Sequence, residues 1–230
     1  MIAVAGLEAV HAQFRLEPLL RPEHEKVRLT GYLNDAELRR GARLLDPGKR
    51  EEFLVGRGLV REILAGLTGG EPGRIEFLEG VFGKPYLSSH RGTGGLHFNV
   101  SHSGGQLLVA VCYGAEIGVD LEEVRQDLAF RPMAERYFSL REREELFGLD
   151  PELQLDAFYR CWTRKEAYLK GMGTGFSLPS TAFDVSLAPG EPPALLAHWV
   201  GPEEVKRWAI TDLPVPAGYC AALAIQRQGE

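Results

Sequence analysis

The chain has 230 residues, 44% hydrophobic and 25% charged, with a net charge of −6. This is the composition of a globular protein long enough to bury a substantial core, as one large domain or two small ones. The acidic balance speaks against nucleic acid as a general partner, and no run of residues is apolar enough to suggest a membrane span.

The start, Met1-Ile2-Ala3-Val4-Ala5-Gly6, lacks a basic flank and a long apolar core, so no secretory signal is expected there. Cys112, Cys161 and Cys220 sit among apolar neighbours without a C-x-x-C pair. They read as buried thiols in a reducing compartment, and the cytoplasm is the expected location.

A helical stretch rich in arginine occupies the first part of the chain: Arg39, Arg40, Arg43, Lys49, Arg50, Arg57 and Arg61. At least half of these are expected only to solvate their helices. Gly83-Lys84-Pro85-Tyr86 then reads as a turn that restricts where one lysine can stand. An idle, solvent-exposed lysine is the more common result of such a turn. His97-Phe98-Asn99-Val100 reads as a short strand passing into a small polar loop, Ser101-His102-Ser103-Gly104-Gly105. Its hydroxyls, imidazole and free amides suit a phosphate; a plain hairpin into Gln106–Val111 is the alternative. His97 and His102 lack the spacing of zinc ligands.

Ile117-Gly118-Val119-Asp120-Leu121-Glu122-Glu123-Val124 reads as a strand. Alternation puts Asp120 and Glu122 on one face, with Val119, Leu121 and Glu123 on the other. Two crowded carboxylates repel unless a cation lies between them, and hard oxygen donors suit Mg²⁺ completed by substrate phosphates. A solvated acidic strand end is the competing reading. Further on, Met133–Ser139 precedes a charged helix, Leu140–Phe147, with Tyr137 and Phe138 expected in the core.

Phe158–Gly171 reads as a helix that stops at glycine. Its i, i+4 spacing aligns Trp162, Glu166 and Lys170 on one stripe. The apolar neighbours Phe158, Tyr159, Trp162, Tyr168 and Leu169 argue that this stripe faces a cleft, not open solvent. Lys165 lies about 100° around the helix from Glu166, placed either to reach a phosphate from the side or to be solvated. Pro189–Pro193 and Pro214–Gly218 read as surface turns.

A faint duplication runs through the chain. A helix ending near Val60–Gly66 and one ending near Arg164–Lys170 are each followed by a Gly- and Pro-bearing turn, Gly83-Lys84-Pro85 and Gly175–Pro179. Each half closes with an apolar strand, Leu107–Tyr113 and Tyr219–Ile225. Two α+β halves are therefore expected, residues 1–115 and 116–230, with a cleft between them that faces Ser101 and His102 towards Glu166.

Taken in order, Gly83-Lys84-Pro85, Asn99-Val100-Ser101-His102-Ser103, Gly118-Val119-Asp120-Leu121-Glu122 and Trp162-Thr163-Arg164-Lys165-Glu166-Ala167-Tyr168-Leu169-Lys170 resemble the signature set of the 4'-phosphopantetheinyl transferases. Length and the upstream helix are similar to the larger, surfactin-synthetase-activating type. The resemblance runs from about residue 33 to the strand Tyr219-Cys220-Ala221-Ala222. It implies an α+β fold of two pseudo-twofold-related halves with coenzyme A bound between them. It also implies transfer of the phosphopantetheine arm to a serine of an acyl or peptidyl carrier protein, with release of 3',5'-adenosine bisphosphate.

On this resemblance Asp120, Glu122 and Glu166 would hold Mg²⁺, or Mn²⁺ in its place. Lys170 would neutralise charge on the phosphate oxygens, and Glu166 or a metal-bound water would take the serine proton. Lys84, Ser101 and His102 would hold coenzyme A phosphates, His102 the 3'-phosphate. Arg40, in the register Glu37-x-x-Arg40, and Arg50 would grip the nucleotide, although Asp46–Glu52 departs from the expected local pattern. The resemblance also places carrier docking around residues 133–147. A monomer is expected, without nucleic-acid or membrane partners. Two alternatives are a different cation-dependent coenzyme A or nucleotide phosphotransferase, and a non-catalytic coenzyme A- or carrier-binding protein. The combination of Asp120, Glu122, Glu166 and Lys170 argues against the second.

Overall fold

Two 22-residue helices, α3 (Pro47–Thr68) and α6 (Pro151–Met172), organise the chain. Each starts with proline at its first position, where no amide is missed, and each ends on a left-handed glycine, Gly69 (φ +69°) and Gly173 (φ +63°). Asp46 caps α3 by accepting from the amide of Lys49 at 2.9 Å. The computed structural model describes residues 12–88 and 95–227; the start Met1–Gly6 lies outside them.

Around α3 stand β1 (Ala12–Pro18), α1 (Glu23–Thr30), α2 (Asp35–Ala42), the hairpin β2 (Phe77–Glu79) and β3 (Pro85–Leu87), β4 (Leu96–Ser103) and β5 (Gln106–Tyr113). Around α6 stand β6 (Ile117–Glu123), α4 (Phe130–Tyr137), α5 (Leu140–Gly148), the hairpin β7 (Phe183–Val185) and β8 (Leu195–His198), α7 (Glu204–Arg207), β9 (Trp208–Asp212) and β10 (Tyr219–Gln226). The sheets have the orders β1-β5-β4 and β6-β10-β9, antiparallel throughout. In both, the last strand of the set is central. The fold is α+β with two similar halves, as expected.

Alternation sorts the core. Leu107, Val109 and Val111 of β5, with Leu96 and Phe98 of β4, pack beneath α3 on Leu59, Val60 and Leu64. Ala222 and Ala224 of β10, with Trp208 and Ile210 of β9, pack beneath α6 on Tyr168 and Ala167. The other faces share a third cluster, in which Leu108 and Ala110 meet Val119, Leu121 and Leu223. Burying these faces supplies the main driving force for joining the halves.

At the seam, side chains take the place of a backbone ladder. Asn99 Oδ1 accepts the amide of Val119, and Ser103 Oγ accepts the amide of Glu123, both at 3.0 Å. The edge of β6 is thus satisfied without a paired strand.

Three local readings change here. Ser101-His102-Ser103 continues strand β4 instead of forming a loop. Only Gly104 and Gly105 make the turn, with φ of +54° and +72°, the positive pair that suits a tight hairpin. The alternative of a plain hairpin is what the chain adopts. Lys165 is neither solvated nor part of the cleft lining: it is buried, donating to both oxygens of Glu142 at 2.7 Å and to the Phe183 carbonyl at 2.7 Å. Tethering α5 and β7 satisfies a charge that could not be left unpaired there. Among the cysteines, Cys112 and Cys161 are buried, but Cys220 is only half-buried.

Glycine brings α6 down onto β6. A Cβ at Gly118 would lie 2.1 Å from the carbonyl oxygen of Ala167 and 2.2 Å from the amide nitrogen of Gly171, and one at Gly171 would lie 2.6 Å from the Trp208 ring. Gly118→Ala therefore forces backbone apart and is expected to cost about 3 kcal/mol, the upper end of ordinary overpacking. Gly66→Ala, within α3 where nothing lies within 4 Å of the new methyl, should be neutral or gain about 0.5–1 kcal/mol from helix propensity. Denaturant unfolding of the two variants checks the contrast; equal effects would refute the close-approach account.

Candidate active site

The α6 register set by Gly118 delivers one helical stripe to one strand face. Trp162, Glu166 and Lys170 line a cavity of about 450 Å³ together with Asp120 and Glu122 of β6, Val100, Ser101 and His102 of β4, and Tyr137 of α4. Strand alternation and i, i+4 spacing thus place the side chains as the sequence indicated. A second compartment of about 530 Å³ adjoins it, sharing Val100, Tyr137, Glu166 and Lys170, and runs on to Phe82, Lys84, Pro85, Leu169, Leu178 and Pro179. One cleft therefore has a carboxylate-rich end and a more apolar end.

Lys170 Nζ donates to Asp120 Oδ1 at 2.6 Å and to Ser101 Oγ at 2.9 Å, and Ser101 Oγ donates to the same Asp120 oxygen at 3.0 Å. Ser103 Oγ donates to Glu122 Oε2 at 3.0 Å. Asp120 Oδ2 is buried without a hydrogen-bond partner. Burial pushes the Asp120 carboxyl above the usual range in spite of Lys170 and Ser101, which oppose the shift. Glu122 is raised by burial and then by Asp120. Glu166 is raised by burial, then by Asp120 and Glu122. Three carboxyls that resist ionisation chiefly because they are buried are what a cation would relieve.

Hard oxygen donors and an orphaned buried carboxylate oxygen fit Mg²⁺. The side chains do not form a closed cage: among the described residues, no three His, Cys, Asp or Glu groups stand close enough together to hold a metal.

The remaining expected residues separate. His102 is exposed on β4 at the cavity rim. Ser101 is buried and engaged with Asp120 and Lys170. Lys84 is neither idle nor free: its Nζ donates to Glu116 Oε2 at 2.6 Å and to the Gly171 carbonyl at 2.7 Å. Arg40 is exposed and lies over the Phe53 ring, 5.5 Å from its centroid. Arg50 turns back to the Leu44 carbonyl at 2.8 Å and 3.2 Å. Neither arginine lines the cleft compartments described above.

Sequence reasoning missed Tyr137, which it placed in the core with Phe138. Phe138 is indeed buried, but Tyr137 is half-buried, lines both compartments and meets Trp162 edge-on with centroids 5.6 Å apart. The helix ends at Tyr137, and this end position was the available signal.

A model of the 4'-phosphopantetheinyl transferase superfamily matches residues 116–224, which carry Asp120, Glu122, Glu166 and Lys170. The 4'-phosphopantetheinyl transferase HetI of Nostoc sp. (strain PCC 7120 / SAG 25.82 / UTEX 2576) is 38% identical over 205 residues, covering 89% of this chain and 83% of that protein. The 4'-phosphopantetheinyl transferase Sfp of Bacillus subtilis (strain 168) is 30% identical over 170 residues, covering 74% and 72%. The crystal structure of Thermotoga maritima holo-[acyl-carrier-protein] synthase aligns with 50% of this chain and 64% of that one, at 20% identity and a TM-score of 0.35. The chain belongs to the 4'-phosphopantetheinyl transferase superfamily, enzymes that transfer the phosphopantetheine group of coenzyme A to carrier proteins.

The raised Glu166 carboxyl carries a stability consequence. A folded-state pKa above the ordinary 4.5 means that the folded protein holds this proton more tightly than the unfolded chain. Ionised Glu166 thus destabilises the fold above its folded pKa, and the penalty disappears below about 4.5. Glu166→Gln mimics the protonated form and is expected to raise the melting temperature at pH 7. The gap from wild type should close on acidification; a glutamine variant that melts lower at pH 7 would contradict the assignment.

Proposed function

We propose that the reaction takes place at the carboxylate-rich end of the cleft, where Asp120, Glu122 and Glu166 line one cavity without forming a preassembled cage and would draw together around Mg²⁺, or Mn²⁺. The observation that carries this reading is the convergence of those carboxyls, all raised, with Lys170 on one cavity. When bound, the cation supplies charge neutralisation for the pyrophosphate of coenzyme A. Lys170 stands beside Asp120, within the same cavity, to meet charge that builds on the phosphate oxygens. Glu166, which lines the same cavity, is placed to take the proton from the carrier serine. Trp162 and Tyr137 wall this end and limit access of water, which would compete with the serine.

The apolar compartment, between Phe82, Pro85, Leu178 and Pro179, takes the non-reacting remainder of coenzyme A. His102 at the rim is placed for a phosphate and serves the 3'-phosphate. Ser101 and Lys84 contribute by fixing their neighbours, Lys170 and the β2–β3 hairpin, more than by free donors of their own. Arg40 and Arg50 approach the nucleotide only if it extends beyond the cleft. The acceptor is an acyl or peptidyl carrier protein. The functional units are residues 1–115, with the phosphate-contacting strand, and 116–230, with the reacting side chains, acting as a monomer in the cytoplasm. No described helix is long and apolar enough to cross a membrane.

The test incubates the protein with coenzyme A, Mg²⁺ and a panel of apo carrier proteins, and reads intact carrier mass. A gain equal to the phosphopantetheine arm, abolished by EDTA, is expected. Asp120→Ala should lower turnover by about 100-fold or more without unfolding the chain, and Lys170→Ala should lower kcat more than coenzyme A affinity. Transfer that persists at full rate in EDTA or in Asp120→Ala would overturn the metal assignment.

A further inference from the structure

A third cavity of about 390 Å³ lies next to the apolar compartment and is lined by Leu87, Leu96, His97, Phe98, Glu116 and Met172. Lys84, Pro85 and Gly173 line both spaces and form the partition between them. The partition is tied together by charge. Besides its bonds to Glu116 and the Gly171 carbonyl, Lys84 has its stem across Gly173, where a Cβ would come within 3.0 Å of Lys84 Cδ. The second oxygen of Glu116 lies 3.1 Å from His97 Nδ1.

Four pieces of the chain meet at this knot: the β2–β3 turn, β4, the entry to β6 and the last turn of α6. Burial alone would push the Glu116 carboxyl up, but the hydrogen bond from His97 and the Lys84 charge overcome it and hold the carboxyl down at about 2. Burial also pushes the Lys84 ammonium below its ordinary value, with Glu116 opposing. Without Glu116, the lysine would keep only one carbonyl partner in a desolvated place, so it would either lose its proton or leave, taking the hairpin with it.

We propose that Glu116 and His97 are positioning residues for coenzyme A, acting through Lys84 to fix the β2–β3 hairpin against the end of α6 as a wall of the cleft. The inference rests on the reading that this cleft binds coenzyme A. It makes Lys84 a staple between hairpin and helix whose position is set from behind by a carboxylate that touches no substrate. Asp120 and Glu122 line only the carboxylate-rich compartment, and Lys170 is held there by Asp120 and Ser101, not by the staple.

The test combines steady-state kinetics on an apo carrier with hydrogen exchange of the free protein. Glu116→Ala should raise KM for coenzyme A about tenfold and leave kcat within about twofold, as expected for lost positioning of a non-reacting part of the substrate. His97→Ala should act in the same direction by about threefold, and Glu116→Gln, which keeps the shape, should restore part of the affinity. Amides of residues 77–87 should exchange faster in Glu116→Ala, while those of residues 117–123 stay protected. Unchanged exchange at 77–87, or a loss in kcat with KM unmoved, would overturn the positioning role in an enzyme that is otherwise active. If the wild-type protein bound no coenzyme A at all, the functional reading itself would fall, and the positioning of that ligand with it.

Discussion

The contact between Gly118 and the backbone of α6 sets everything else at the site. A helix normally rides about 10 Å from a sheet because side chains fill the gap. Here the absence of a Cβ lets the strand backbone approach the carbonyl of Ala167 and the amide of Gly171 directly. At that distance a side chain on the next position of either element reaches the other without extending far, which is how Lys170 meets Asp120 at 2.6 Å. The helix is also prevented from rolling. Arg164 reaches both oxygens of Asp212 at 2.8 Å and 2.6 Å, and Lys165 is held by Glu142. With residues 164 and 165 fastened on one side, the stripe of Trp162, Glu166 and Lys170 has only one direction left to face.

Within that frame the electrostatics are arranged at the expense of comfort. Three carboxyls share one cavity with a single ammonium, and each is raised mainly by burial. Lys170 balances only part of the charge, and Asp120 Oδ2 has no partner. A core built for stability alone would bury neither the orphan oxygen nor the repulsion. That local loss is tolerated because the two sheets and their helices bury three separate apolar clusters around it. Strain of this type, with the surroundings stabilising it, is the usual sign that function and not packing selected the residues.

Strand and helix periodicities were legible because they are local. Alternation along Ile117–Glu123 and spacing of four along α6 were enough to bring Asp120, Glu122, Glu166 and Lys170 to one place. What could not be read was which partner a charged side chain would choose across the chain. Lys84 bonds a carbonyl 87 positions away, and Lys165 pairs with a glutamate on another helix; nothing in their neighbouring residues distinguishes a staple from a phosphate ligand. The Ser-His pair misled for a different reason. Small polar residues before Gly-Gly look like a loop, yet the strand continues to Ser103 because both serines have a task at the seam: Ser101 on Asp120, Ser103 on Glu122 and the amide of Glu123.

The duplication shows how the same frame can be given two uses. α3 and α6 have equal length, the same proline start and the same left-handed glycine end, and each covers a sheet of the same strand order. On α3, the charged residues turn away to structural work: Arg57 and Arg61 converge on Glu37 of α2, with contacts of 2.6–2.9 Å, and both guanidinium groups lie over the Phe77 ring. Arg57, Arg61 and Glu37 thus satisfy one another, and Glu37 is held below the ordinary carboxylate range although burial pushes it up. On α6, the carboxyl of Glu166 lacks such a match and is raised instead. The sign of the shift separates the two halves: matched charges fasten one, and the other keeps a cluster of buried carboxyls that resist ionisation.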